Sequence, residues 1–200
     1  MINLFRQIIV ICMLLQLLIV SPLKVLAQSE SALFAGGCFW CLEHDLEELD
    51  GVISAESGYS GGDLLNPTYE NHNGHQEVVK IVFNSTIISY KELLKNYWFN
   101  IDPYDDKGQF CDRGNSYQPV IFTSNSDQER EAEESKERIS IKLNVAIDKL
   151  KVEIRNSKAF WIAESYHQDF AINNPIKYNF YRTSCGRDNR LKKVWSNYKE

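Results

Sequence analysis

The eight residues Gln76 to Phe83 constrain this chain most. A strand's two-residue period places Glu77, Val79, Ile81 and Phe83 on one face, so the segment needs a sheet with an apolar side to cover. It also sets a carboxylate in the apolar row. Either Glu77 reaches water at a sheet edge, or burial among its neighbours disfavours the charged form and raises its pKa toward neutrality. His75, just before it, reads as a surface loop residue.

The flanking sequence supplies partners for that strand. Ser31 to Gly37 reads as a short strand ending in a Gly-Gly turn, after which Phe39, Leu42, Leu46 and Leu49 recur at helical spacing until Asp50-Gly51. Val52 to Gly58 is a second strand candidate, and Tyr59 to Gly74 is a long loop dense in Gly, Asn and Pro. Ser89 and Glu92 form a capping box that opens a helix with Leu93, Leu94, Tyr97 and Trp98 on its apolar side, ending near Asn100. A second long loop, Ile101 to Pro119, leads into a short strand at Val120 to Thr123. Ser126 to Glu129 then caps a mostly polar helix up to about Ile139. Lys151 to Ile154 alternates like a strand, Glu164 to Ile172 suits a short helix, and Asp188 to Tyr198 has Leu191, Val194 and Trp195 at helical spacing. Strands and helices interleave without strict alternation, which favours a two-layer α+β domain over a doubly wound one.

At 200 residues, 44% of them hydrophobic, the chain suits one folded domain, and no internal repeat is visible. A net charge of −5 with no Lys/Arg block argues against nucleic acid or acidic membrane surfaces as partners. Residues 1–27 read as a signal peptide: one early charge, Arg6, an apolar run from Ile8 to Val20, then Val25-Leu26-Ala27 as a cleavage site. An uncleaved anchor is the alternative, although Pro22 and Lys24 make the stretch a poor span. Residues 28–200 are then a single catalytic domain that is exported, periplasmic or secreted. Of five cysteines, Cys12 lies in the apolar run, leaving Cys38, Cys41, Cys111 and Cys185. Four cysteines pair in three ways, so spacing alone does not separate structural disulfides from chemistry.

Local context singles out Cys38. It sits where a strand turns into a helix, so unpaired backbone N–H groups and the positive end of the helix dipole favour thiolate over thiol. Gly36 and Gly37 let the backbone turn tightly, and Phe39 and Trp40 supply an apolar wall. The bland reading is an inert, buried cysteine.

The chain resembles the A-type peptide methionine sulfoxide reductases. The resemblance rests on Gly37-Cys38-Phe39-Trp40, Gly58-Tyr59-Ser60-Gly61-Gly62, Asn66-Pro67-Thr68-Tyr69, Gly74-His75-Gln76-Glu77, Asp112-Arg113-Gly114-Asn115-Ser116-Tyr117 and Ala163-Glu164-Ser165-Tyr166-His167-Gln168. Cys41, directly after the tryptophan, and the ending Cys185-Gly186-Arg187-Asp188-Asn189-Arg190-Leu191 resemble one branch of that family. The fold expected with it is a two-layer α+β sandwich with a ferredoxin-like, βαββαβ-related core and extensive loops. The resemblance implies that Cys38 attacks the sulfoxide sulfur while a neutral Glu77 protonates the oxygen, helped by Tyr69 and Tyr117. It implies that Phe39 and Trp40 hold the S-methyl group and that Asp112 orients the substrate's backbone amide. Cys38 would be left as a sulfenic acid that condenses with a resolving cysteine. Cys185 is the favoured resolver, in a Gly-containing C-terminal segment free to swing inward. Cys41 is the alternative, strained by its early helical position, and Cys111 reads as a packed loop residue. A thioredoxin-type protein is the expected reductant. No metal or organic cofactor is implied, and a monomer is expected.

Two rivals use the same thiol. A thioredoxin-like disulfide oxidoreductase would employ Cys38 with Cys41, but leaves Glu77 and the tyrosine loops without a purpose. A papain-like hydrolase would pair Cys38 with His167, although the sequence around the cysteine differs from that pattern.

Overall fold

A computed structural model describes residues 28–196 and 198; the signal-peptide expectation for residues 1–27 lies outside them. The chain builds β1 (Ser29–Ala35), α1 (Phe39–Glu47), β2 (Val52–Ser60), β3 (Gln76–Asn84) and α2 (Tyr90–Phe99). There follow a small hairpin of β4 (Gly108–Gln109) and β5 (Asp112–Arg113), then β6 (Val120–Thr123) and α3 (Ser126–Leu143). The last third holds β7 (Glu153–Asn156), β8 (Trp161–Ile162), α4 (Phe170–Asn173), α5 (Pro175–Cys185) and α6 (Arg187–Trp195).

This is a mixed α+β architecture around one six-stranded sheet of order β7-β6-β1-β3-β2-β8. Neighbours run antiparallel from β6 to β8, and β7 joins β6 in parallel. The alternation in β3 resolves as the pattern requires: Val79, Ile81 and Phe83 are fully buried on one face with Ala32 and Phe34 of β1. The large core joins them to helical residues such as Phe39, Leu42 and Leu46 of α1 and Leu93, Leu94 and Trp98 of α2. Leu33, Ala35, Val78, Val120 and Phe122 form a smaller cluster with Phe160. Because Glu77 shares the covered face, it is carried into the protein at the end of β3, opposite Tyr59 of β2.

Three local expectations change. The N-cap of α3 is Asn125, whose side chain accepts from the Gln128 N–H at 2.9 Å, and the helix runs on to Leu143, where Asn144 turns left-handed. The stretch expected as a helix from Glu164 breaks at Asp169 (φ 52°), leaving a 3-10 turn at Ser165–His167 and the four-residue α4. The segment after Pro175 is not a loose tail. Proline at the start of α5 has its φ already set for a helix, and Gly186 (φ 71°) ends it by taking a left-handed turn into α6.

Candidate active site

Gly37 delivers Cys38 to the start of α1. Its φ is +84°, and a Cβ there would lie 2.6 Å from the Cβ of Gln109, so the turn accepts no side chain. Cys38 is the N-cap residue, with its carbonyl accepting from the N–H groups of Cys41 (3.2 Å) and Leu42 (3.4 Å). The next amide, Phe39 N–H, donates to Glu77 Oε2 at 3.1 Å. Cys38 and Glu77 are thereby held on either side of one peptide unit, both buried.

The electrostatics differ from the sequence expectation at Cys38. Burial above all, then the Cys41 thiol and the Glu77 charge, raise Cys38 well above the ordinary thiol range. The helix-start amide that was expected to favour its thiolate is spent on Glu77. Cys41 moves the other way: a hydrogen bond with Cys38, against the effect of burial and aided by Arg187 and Arg182, lowers it to about 7. Burial raises Glu77 to about 8, overriding its bonds from Phe39 N–H and the Tyr117 hydroxyl, so Glu77 is largely protonated at neutral pH. The edge-strand alternative for Glu77 is thereby excluded.

Tyr69, Tyr117 and Asp112 converge on the same centre. The charges of Cys38, Glu77 and Asp112 all raise both tyrosines, whose shifts otherwise come mainly from burial. Tyr69 comes from the long loop and is anchored by its N–H on Glu164 Oε1 at 2.9 Å; Tyr59 OH reaches the other oxygen of Glu164 at 3.0 Å. Trp40 is half-buried and stacks on Phe170 with ring centroids 3.8 Å apart, while its indole N–H donates to His167 Nδ1 at 3.0 Å. Phe39 is 1% exposed, its ring turned toward Tyr59 and His167. His167 thus orients Trp40 rather than Cys38, which removes the hydrolase pairing, and its Nε2 is buried without a partner among the described residues.

The cysteines depart furthest from expectation. Cys111 is not simply a packed loop residue: it is bonded to Cys185, 74 positions away, with S–S 2.06 Å. Cys111 follows Phe110, whose left-handed φ of 55° makes the two-residue turn of the β4–β5 hairpin, and Cys185 ends α5. The disulfide lies beside Asp112, with Cys185 Sγ 3.8 Å from Asp112 Oδ2. Cys38 and Cys41 are free thiols.

Several site residues escaped sequence reasoning. His75 is 1% exposed, not a surface residue; Nε2 bonds the Leu64 carbonyl at 2.9 Å and Nδ1 accepts from Gly62 N–H at 3.3 Å, tying down the loop that carries Tyr69. Arg187, also 1% exposed, bonds the carbonyls of Gly36 (3.3 Å) and Asn100 (2.7 Å). Tyr181 of α5 donates to Asp112 Oδ2 at 2.5 Å, packs against the cluster that holds Cys38 and Cys41, and meets the Trp40 ring edge-on at 5.7 Å. Tyr178, Tyr181, Arg182 and Cys185 have the spacing of one helix face behind a proline, the signal by which α5 could have been found.

Comparison with known proteins points to one family. The family described as Peptide methionine sulfoxide reductase matches residues 30–199. The peptide methionine sulfoxide reductase MsrA 2 of Caulobacter vibrioides is 44% identical over 179 residues, covering 88% of this chain and 90% of that protein. The MsrA of Bacillus licheniformis is 43% identical over 170 residues, 83% of this chain and 93% of that protein. Among solved structures, methionine sulfoxide reductase A of Corynebacterium diphtheriae superimposes with a TM-score of 0.69 at 27% identity, covering 79% of this chain and 81% of that one. Reduced Mxr1 of Saccharomyces cerevisiae gives 0.67 at 27% identity, covering 75% and 88%.

Proposed function

The chain belongs to the peptide methionine sulfoxide reductase family, and from that premise we propose how its own residues carry the reaction. It reduces methionine S-sulfoxide to methionine at the expense of thiols, and so repairs oxidised proteins. The observation that carries the residue roles is the pairing of Cys38 and Glu77 through the Phe39 amide.

Cys38, as thiolate, attacks the electrophilic sulfoxide sulfur while protonated Glu77 gives its proton to the oxygen. The hydroxyls of Tyr69 and Tyr117 donate to the same oxygen as charge builds on it. Trp40, backed by Phe39 and stacked on Phe170, receives the S-methyl group. The carboxylate of Asp112 meets the substrate's backbone amide. The protonated oxygen passes from the substrate sulfur to Cys38 Sγ as the sulfur–sulfur bond of the adduct breaks, so that methionine leaves and Cys38 is left as a sulfenic acid.

Resolution begins with Cys41, whose thiol is hydrogen bonded to Cys38 and whose lowered pKa makes it a nucleophile near neutrality. Its attack on the sulfenic acid forms the Cys38–Cys41 disulfide and releases water. The reduced Cys111 and Cys185 then exchange with that disulfide, restoring both active-site thiols and leaving Cys111–Cys185 oxidised. Cys185, the favoured resolver on the sequence reading, thus gives the resolving step to the alternative, Cys41, and acts one exchange later with Cys111 as partner. A thioredoxin-type dithiol reduces this pair and closes the cycle.

The β1-α1-β2-β3-α2-β6 run, with strand order β6-β1-β3-β2, supports reading a ferredoxin-like core inside the larger sheet. The sequence of residues 1–27 supports export with cleavage after Ala27, the protein acting as a monomer outside the cytoplasm; N-terminal sequencing of the exported protein tests the cleavage.

The reaction is tested with the purified protein, dithiothreitol and a racemic methyl sulfoxide. Consumption of the S-epimer alone, lost in Cys38→Ser, is expected. Reduction of insulin disulfides without sulfoxide turnover would instead identify a disulfide oxidoreductase.

A further inference from the structure

The two sulfurs of the Cys111–Cys185 disulfide stand in different surroundings. Cys111 sits in the turn of the β4–β5 hairpin and is exposed, whereas Cys185, at the end of α5, is half-buried. The Cys111 backbone N–H donates to Cys185 Sγ at 3.1 Å, and Asp112 Oδ2 lies 3.8 Å from that same sulfur. Tyr181, which packs against the cluster of Cys38 and Cys41, donates to the same carboxylate oxygen. One sulfur thus faces solvent and its partner faces the side of the catalytic centre.

Exchange between a thiol and a disulfide is decided by access to the attacked sulfur and by how well the departing sulfur carries charge. Negative charge gathers on the entering and departing sulfurs, while the central one stays nearly neutral. Access favours Cys111 as the attacked sulfur. The amide hydrogen bond favours Cys185 as the departing one, because an N–H aimed at a sulfur makes a stronger bond once that sulfur is a thiolate. Asp112 bears on both routes. It repels a thiolate entering on the Cys185 side, and it opposes charge departing on Cys185 until that sulfur takes a proton, after which the thiol donates to it. At 3.1 Å against 3.8 Å, the amide is the nearer influence on Cys185.

We propose that Cys111 is the sulfur that the outside dithiol attacks, and that Cys185 is the departing sulfur, its charge held by the Cys111 amide. The first thiolate of the dithiol bonds to Cys111 Sγ, and the Cys111–Cys185 bond breaks with its electron pair going to Cys185, which takes a proton from water. The second thiol of the reductant then attacks its own first sulfur, the mixed disulfide breaks, and Cys111 takes the second proton. Two electrons and two protons reach the pair, and the reductant leaves as its disulfide. The docking point of the reductant is therefore the β4–β5 turn, and Cys185 is released beside Asp112.

The proposal rests on Cys111–Cys185 being the recycling pair, and the experiment separates the two. The full protein, with Cys111–Cys185 oxidised, is mixed with a thioredoxin whose second cysteine is replaced by serine, quenched in acid after short times, and mapped by mass spectrometry. The Cys38→Ser/Cys41→Ser double variant, which keeps Cys111–Cys185 and removes thiols that could scramble the adduct, is treated in parallel. Thioredoxin is expected on Cys111 in about tenfold excess or more over Cys185, in both proteins. Adducts on Cys185 in equal or greater amount would overturn the assignment of Cys111. A Cys111–Cys185 bond left intact by the trap, with thioredoxin found on Cys38 or Cys41 or on no cysteine, would overturn the recycling role of the pair itself.

Discussion

Phe39 donates its backbone N–H to Glu77 Oε2 at 3.1 Å, so the residue next to the proposed nucleophile anchors the proposed proton donor. The bond depends on backbone geometry at the start of α1 and on the phase of β3, which ties Cys38 and Glu77 to one helix start and one strand. Its chemistry is readable by pH. Glu77 donates only while protonated, so the rate of sulfenic acid formation should fall as pH rises through about 8. Glu77→Gln should keep substrate binding, lose that limb, and slow the step by about 10²- to 10⁴-fold in rapid-quench measurements.

The same group links stability to pH. Its folded pKa is raised to about 8 from an ordinary 4.5, so the folded state binds this proton more tightly than the unfolded chain does. The Glu77 contribution is therefore fully present below the unfolded value and is lost as pH climbs to about 8. Calorimetry should find Tm falling over that range in the wild type, with a shallower fall in Glu77→Gln.

The cysteine sequence makes separable predictions. Cys41→Ser should accumulate a Cys38 sulfenic acid that a dimedone-type reagent traps. Cys185→Ser or Cys111→Ser should still yield methionine from one turnover and form Cys38–Cys41, yet lose most thioredoxin-driven turnover. Unimpaired recycling in both would confine Cys111–Cys185 to a structural role.

Gly37→Ala places a Cβ 2.6 Å from Gln109 Cβ at a φ of +84°. A loss of about 1–3 kcal/mol in urea unfolding is expected from the backbone strain alone. Turnover should fall further than stability, since the displaced turn carries Cys38.

His75→Ala deletes both ring bonds that hold the loop between Gly61 and Gly74. The expected cost is about 1–3 kcal/mol. Faster proteolysis within that loop and a raised KM, with Cys38 alkylation unchanged, would show that the loop and Tyr69 have loosened while the thiol has not.

What the sequence revealed was local. The phase of β3 and the capping box at Ser89 and Glu92 need only neighbouring residues to be legible, and both hold. The same alternation put Glu77 on that face but left open whether it reached water; the place of β3 inside the sheet decides for burial. The Cys111–Cys185 bond could not be read, because it requires a hairpin turn at Phe110 and the docking of α5 to bring together residues far apart in the chain. Reading Cys38 as a resting thiolate failed for a related reason: the helix start is a local signal, whereas desolvation and the competing claim of Glu77 on the Phe39 amide arise only in the folded protein.

Helix α5 carries Tyr181 and Cys185 four positions apart, both reaching Asp112. Eleven residues thus set a phenol on Asp112 and a disulfide sulfur beside the same carboxylate. Grafting the Cys38–Cys41 turn into another scaffold without this rod would leave behind both the phenol on Asp112 and the second cysteine pair.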